Sequence, residues 1–240
     1  MTALKKTISR EPWHRWAGGG SALRAAVFGA NDGLVSNASL IIGVAGAGPE
    51  PKVILLAGVA GLLAGGFSMA AGEYISVRTQ CELLEHQIEL ERKELEDHPA
   101  REASELAAIY EAKGVPPEQA QTIAASILAD PKKGLVTLVK EELGLDPEGL
   151  ASPYQAAGAS FLSFAFGAVV PLLPYIVTRG SGAFLGTIVA TAAGLLAVGA
   201  TISLFTGRSP IRGALRQAMI GALAAGATFF VGKLLGVSVS

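Results

Sequence analysis

The stretch Ala26–Gly48, AVFGANDGLVSNASLIIGVAGAG, decides how the rest of the chain is read. It is apolar enough for a lipid bilayer, yet Asn31 and Asp32 stand in its first half. An ionised carboxylate at the centre of a membrane helix costs about 2.5–3.5 kcal/mol on insertion scales. Either the segment is not a membrane span, or Asp32 has a task that outweighs the cost. A secretory leader is excluded, because the apolar run is too long and such a run should contain neither Asn nor Asp.

Composition favours the membrane. Half of the 240 residues are apolar and 16% are charged, against about 25% in soluble domains. Mean hydropathy is +0.45. The 30 glycines suit helices that pack closely in lipid. The charges are unevenly spread. Of the acidic residues, all but Glu11, Asp32, Glu50 and Glu73 lie between Gln80 and Leu150. A single cysteine, Cys81, excludes an intrachain disulfide and a thiolate metal cluster. No enzyme motif stands out, and no nucleic-acid partner is expected.

Five stretches are long enough to cross about 30 Å of hydrocarbon: Ala22–Ala47, Val53–Val77, Tyr154–Val177, Gly182–Phe205 and Ile211–Leu235. Pro171 and Pro174 should kink the third. Lys5, Lys6, Arg10, Arg15 and Arg24 precede the first span, and Arg78 with seven further basic residues follows the second. Arg208, Arg212 and Arg216 lie between the fourth and fifth, whereas the remaining loops carry only Lys52 and Arg179. This alternation predicts a cytoplasmic N-terminus and insert and a C-terminus on the opposite side. The expected fold is all-α and polytopic. Residues 1–21 form a polar cytoplasmic N-terminus, 22–78 the first two membrane helices, 79–150 an acidic helical cytoplasmic insert and 151–240 the last three spans.

Within the insert, the second span should run on without a break to Pro99. Further helices are expected over Arg101–Lys113, from Pro116–Pro117 to Ala129, and over Lys132–Leu143. Glu91 and Glu94 share a helical face, as do Glu102 and Glu105, and Glu141–Glu142 lie on the last helix. Like charges three residues apart destabilise an isolated helix. Two readings answer this: a solvated face softened by Arg92, Lys93, Arg101 and Lys140, or a carboxylate cluster for divalent cations. His86 and His98 are further donors in the same segment.

In the first span Gly29, Asp32, Ser36, Ser39 and Gly43 fall on one helical stripe, as expected of a helix facing a polar path. Counting from Arg24 and Arg78, Asp32 and Met69 lie at one depth, roughly 12–14 Å in. Glu73 lies one turn nearer the cytoplasm. Carboxylate and thioether together suit a borderline ion such as Fe²⁺ better than Mg²⁺ or Ca²⁺.

FGANDGLVSNASLIIGV, GLLAGGFSMAAGEYISV, the Glu-rich insert and GAVVPLLPY, in this order from Leu23 onward, resemble the vacuolar iron transporter family. The resemblance, read as that to a bacterial-type member, implies a homodimer of five-helix protomers with a cytoplasmic metal-binding domain. It also implies antiport, with Fe²⁺ leaving the cytosol in exchange for protons and Mn²⁺ or Zn²⁺ as further cargo. No prosthetic group is implied. The metal residues carried over are Asp32 and Met69 in the membrane and Glu91, Glu94, Glu102, Glu105 and Glu142 in the insert. To these the residues themselves add Glu73 as a metal ligand, with Asp32 and Glu73 as proton-coupling groups. Plant members have a methionine pair where this chain has Leu138–Val139, and an acid near Gly61. The partners expected are divalent ions, protons and the lipid bilayer, and the compact chain leans towards a bacterial inner membrane. The alternative is a membrane-anchored, ferroxidase-like iron-binding protein using the Glu pairs. A purely structural scaffold leaves Asp32 unexplained.

Overall fold

The structure, a computed structural model, describes residues 14–145, 152–178 and 182–239. The first thirteen residues of the expected N-terminal segment, Arg179 and the last residues of the insert lie outside the described residues. Among the described residues eight helices follow one another: α1 His14–Gly46, α2 Pro51–Asp97, α3 Pro99–Ala112, α4 Pro117–Leu128, α5 Pro131–Glu141, α6 Pro153–Val177, α7 Gly182–Phe205 and α8 Pro210–Val239. No strand occurs among the described residues. Five helices are long and apolar enough to cross a membrane, with spans at Ala26–Gly46, in Pro51–Asp97, at Pro153–Val177, at Gly182–Phe205 and at Pro210–Gly236. The protein is therefore an all-helical membrane protein.

α1 begins at His14, so its first turns lie in the polar N-terminal segment, ahead of the span at Ala26–Gly46. Pro171 and Pro174 lie inside one continuous helix.

The chain divides into two compact units, Met1–Gly72 with Ala157–Ser240, and Glu73–Ala156. α2 contributes to both. In the first unit α1 packs against α7 and α8, which also pack against each other. Leu34, Ala38, Ile41 and Ile42 of α1 are buried. α7 buries Ala183, Thr187, Thr191, Leu195, Gly199 and Ser203, every fourth residue along one face. Thr187 donates its hydroxyl to the Pro171 carbonyl at 2.9 Å. Such interhelical bonds suit helices that share no hydrophobic driving force in lipid.

Glycine sets how near the helices come. A Cβ at Gly167 would lie 2.7 Å from the Ala30 carbonyl carbon and 2.9 Å from the Leu34 nitrogen. On the other side of the same crossing, a Cβ at Gly33 would lie 2.9 Å from the Ala168 nitrogen. The backbones of α1 and α6 thus touch directly, and Gly199 and Gly213 do the same for α7 and α8.

The second unit joins the C-terminal part of α2 to α3, α4 and α5. Its core is Leu106, Ala107, Ala120, Ala124 and Leu138, with Leu95, Tyr110 and Ile127 packed against it. Pro99, Pro117 and Pro131 each open a helix, where a missing N–H costs nothing. The Asp130 side chain caps α5 by accepting from the backbone N–H groups of Lys132 and Lys133 at 3.1 and 3.3 Å. Gly114 stops α3 with φ +94°, a conformation that glycine adopts without strain.

Candidate metal centres

The insert gathers its glutamates. α3 turns its buried face inward through Glu102, Leu106 and Ala107, so Glu102 continues the stripe that builds the core. Glu91 on α2 and Glu142 at the end of α5 meet it. One carboxylate oxygen from each of the three lies within 4.8 Å of the other two. Glu91 is 4% exposed and Glu102 1%. Glu91 Oε1 and both oxygens of Glu102 have no hydrogen-bond partner. Buried polar atoms are normally paired, and an unpaired buried carboxylate costs more than a neutral group.

Of the basic residues expected to soften this face, Arg92 and Lys93 are engaged elsewhere, while Arg101 reaches its edge. Arg92 pairs with Glu89 and Glu96, Lys93 with Glu89, and Arg101 with Glu105 at 2.8 Å. Glu91 is pushed up to about 7 by burial, then by the charges of Glu142, Glu102, Glu94 and Glu105. Glu102 is raised by burial and by Glu105, Glu142 and Glu94, against Arg101. Glu142 is raised by burial and by Glu105 and Glu94, and is eased by Arg101 and by a hydrogen bond with Glu91. All five glutamates singled out in the insert therefore lie within one another's fields. His86 and His98 are exposed and neither joins the group. Leu138 and Val139 are fully buried, Leu138 in the insert's core.

The proton held at Glu91 makes the metal-free insert pH-sensitive. Its carboxyl titrates at an ordinary 4.5 in the unfolded chain and at about 7 in the folded one. Between these values the folded state holds the extra proton, so its stability falls as pH rises. The benefit is complete below pH 4.5 and gone above pH 7. Amide exchange in α3 and α5 of the metal-free protein, corrected for intrinsic rates, is expected to be slower at pH 5 than at pH 7.5. Equal protection at both pH values would contradict this.

The first unit holds a second candidate site. Asp32, Ser36, Asn37, Ser68, Met69 and Phe164 are among the residues lining a cavity of about 340 Å³. The Met69 methyl lies 3.4 Å from where a Cβ would stand at Gly29. α1 and α2 thus bring Asp32 and Met69 to one cavity. Asp32 is exposed. Glu73, four residues beyond Met69 on α2, falls in the other unit.

Sequence reading missed Asn37. It is 2% exposed and donates through Nδ2 to the Ala168 carbonyl at 2.8 Å, while its Oδ1 has no partner. A Cβ at Gly61 would lie 2.8 Å from that oxygen. The signal available was the doublet of Asn31 and Asn37, two amides in one apolar span. The expected polar stripe is also corrected. Ser39 and Gly43 face α8, where Thr228 donates to the Ser39 carbonyl at 2.7 Å and a Cβ at Gly43 would meet the Thr228 Cβ at 3.0 Å. Gly29 faces Ser163 of α6. One face of α1 meets different helices at different heights, so only its middle lines the cavity.

Five helices able to cross a membrane, with an acidic insert between the second and third, define an all-helical integral membrane protein. The sequence matches the VIT family over residues 23–233, and the chain belongs to that family. It is 34% identical over 215 residues to vacuolar iron transporter 2 of Oryza sativa subsp. japonica, covering 89% of this chain and 87% of that one. It is 31% identical over 230 residues to the vacuolar iron transporter of Centaurea cyanus, covering 95% and 94%. With the vacuolar iron transporter of Acanthamoeba castellanii it shares 37% over 235 residues, 98% and 86% of the two chains. These relatives are named as transporters, not enzymes. They come from plants and an amoeba, and the expectation of a bacterial-type member is not borne out.

Proposed function

We propose that this chain is a divalent metal transporter that moves Fe²⁺, and also Mn²⁺, out of the cytosol in exchange for protons. The observation that carries the proposal is the convergence of Glu91, Glu102 and Glu142, in which the buried Glu91 and Glu102 keep oxygens without a hydrogen-bond partner and the exposed Glu142 closes the group. A divalent cation supplies positive charge at the carboxylates themselves, beyond what Arg101 contributes from its pair with Glu105, and carboxylate oxygens are its natural ligands. Glu94 and Glu105 add to the field that draws the ion in. The names of the relatives point to iron as cargo.

Residues 79–150 serve as a cytoplasmic capture domain, with the membrane helices of 22–78 and 151–240 as the transport body and residues 1–21 as a cytoplasmic tail. The excess of Lys and Arg in the flanks and in the α7–α8 loop supports this orientation. In the membrane, Asp32 and Met69 coordinate the ion, and the free Oδ1 of Asn37 stands in the same cavity as a third donor. Asp32 is exposed on the single protomer, and an exposed carboxylate at membrane depth calls for cover. A homodimer that closes this face provides it. Carboxylates must be deprotonated to hold a metal, so protons arriving at Asp32 or Glu73 from the far side release the ion.

The test uses full-length protein in detergent. Titration with Mn²⁺, an air-stable stand-in for Fe²⁺, is expected to show saturable binding that Glu102→Gln weakens by roughly tenfold or more, in line with the effect of altering a metal site's surroundings. Binding by the unmodified protein should also weaken as pH falls below 7, because Glu91 then takes up a proton. Unchanged affinity in Glu102→Gln would remove the observation on which the proposal rests.

A further inference from the structure

The turn between α7 and α8 carries charge that transport does not use. α7 ends where Gly207 takes φ +66° and the Arg208 N–H donates to the Ser203 carbonyl at 2.9 Å. This left-handed closure lets Pro210 open α8 within three residues. Arg208, Arg212 and Arg216 follow at steps of four, so they rise on one side of the turn and helix. With Ser203, Ser209 and Gly213 they line a cavity of about 370 Å³.

Among the described residues no carboxylate balances these guanidinium groups, and no ion pair joins any of the three to one. The described acidic residues of the same unit are Asp32 and Glu50, and neither lines the cavity. Like charges four residues apart repel, so an arrangement of three is favourable when an anion sits among them. The first turn of α8 adds to this. Gly213 N–H closes onto the Ser209 carbonyl at 3.1 Å, while the N–H groups of Ile211 and Arg212 come before the first intrahelical bond, where helices receive phosphate. Two serine hydroxyls complete a set of donors without an acceptor charge.

The surroundings are apolar. Leu204, Phe205, Ile211 and Leu215, on the same two helix ends, are each more than half exposed, as at a lipid-facing surface. A phosphate bound here has room for acyl chains beside it. We infer that the pocket formed by Arg208, Arg212, Arg216 and Ser209 binds the phosphate headgroup of an anionic phospholipid. The bound lipid tethers the α7–α8 turn to one leaflet, since basic pockets at helix ends take such headgroups.

The test is native mass spectrometry of the delipidated full-length protein, together with its melting temperature. It is offered phosphatidic acid, phosphatidylcholine or inorganic phosphate at equal concentration. Phosphatidic acid is expected to be retained and to raise the melting temperature, while phosphatidylcholine does neither and inorganic phosphate acts more weakly. Arg212→Gln should weaken retention by about fivefold, and the triple variant R208Q/R212Q/R216Q by about a hundredfold, the effect of one basic residue near an anionic surface compounded. Equal retention of the two lipids would overturn the inference. So would undiminished retention by Arg212→Gln, which alters an exposed side chain and leaves the helices to fold. Inorganic phosphate matching phosphatidic acid would overturn the assignment to lipid.

Discussion

Asp32→Ala is expected to bring metal transport in reconstituted vesicles to the background level while leaving cation capture by the insert unchanged. Asp32 is the carboxylate of a cavity otherwise lined by hydroxyls, an amide, a thioether and apolar groups. Without it the cavity keeps neutral donors that cannot offset the cost of stripping water from a divalent ion. The loss should be selective, because Asp32 is exposed and no core contact depends on its side chain. Mn²⁺ binding measured on the same preparation separates the two outcomes. Transport by Asp32→Ala at the unmodified rate would remove the intramembrane site from the mechanism. Asn37→Ala should show a weaker form of the same defect, together with loss of the bond to the Ala168 carbonyl.

Gly167→Leu is expected to abolish assembly of the membrane bundle altogether. The new Cβ would stand 2.7 Å from the Ala30 carbonyl carbon, and what it meets is backbone, which cannot rotate away as a side chain can. Ordinary overpacking costs about 1–3 kcal/mol. Here α1 and α6 would have to separate along their crossing, so the cost should exceed that range. Gly72→Leu is the control, since a Cβ there meets nothing within 4 Å. The check is the yield of monodisperse protein on size exclusion: lost for Gly167→Leu and retained for Gly72→Leu. Equal yields would mean that the helix crossing tolerates a side chain.

Much of this architecture could be read from residue types that act locally. Pro99, Gly114, Pro117 and Pro131 mark helix ends wherever they occur, and the insert's helices begin and end within two residues of the positions they predict. The apolar runs give the spans by the same local logic. What spacing could not supply was convergence. The i, i+3 pairs Glu91–Glu94 and Glu102–Glu105 placed acids on helix faces, but nothing local says that α5 returns Glu142 to the same point. That depends on how Leu106, Ala124 and Leu138 pack. The stripe on α1 failed for a related reason. Angular position on a helix says which residues share a face, and the crossing helices decide what that face meets at each height. Asn37 escaped notice because its role depends on one oxygen left over after the other end of the amide has bonded to α6. The solvated-face reading of the insert likewise turned on partners: Arg92 and Lys93 reach Glu89, and Glu91 is left buried.

The most direct test of the central claim is Fe²⁺ uptake by the purified, unmodified protein in vesicles whose interior is more acidic than the medium. The account predicts uptake that depends on the pH difference, collapses when an ionophore dissipates it, and is accompanied by alkalinisation of the vesicle interior. Uptake that is indifferent to the gradient, or a protein that binds Fe²⁺ without moving it, would contradict the account.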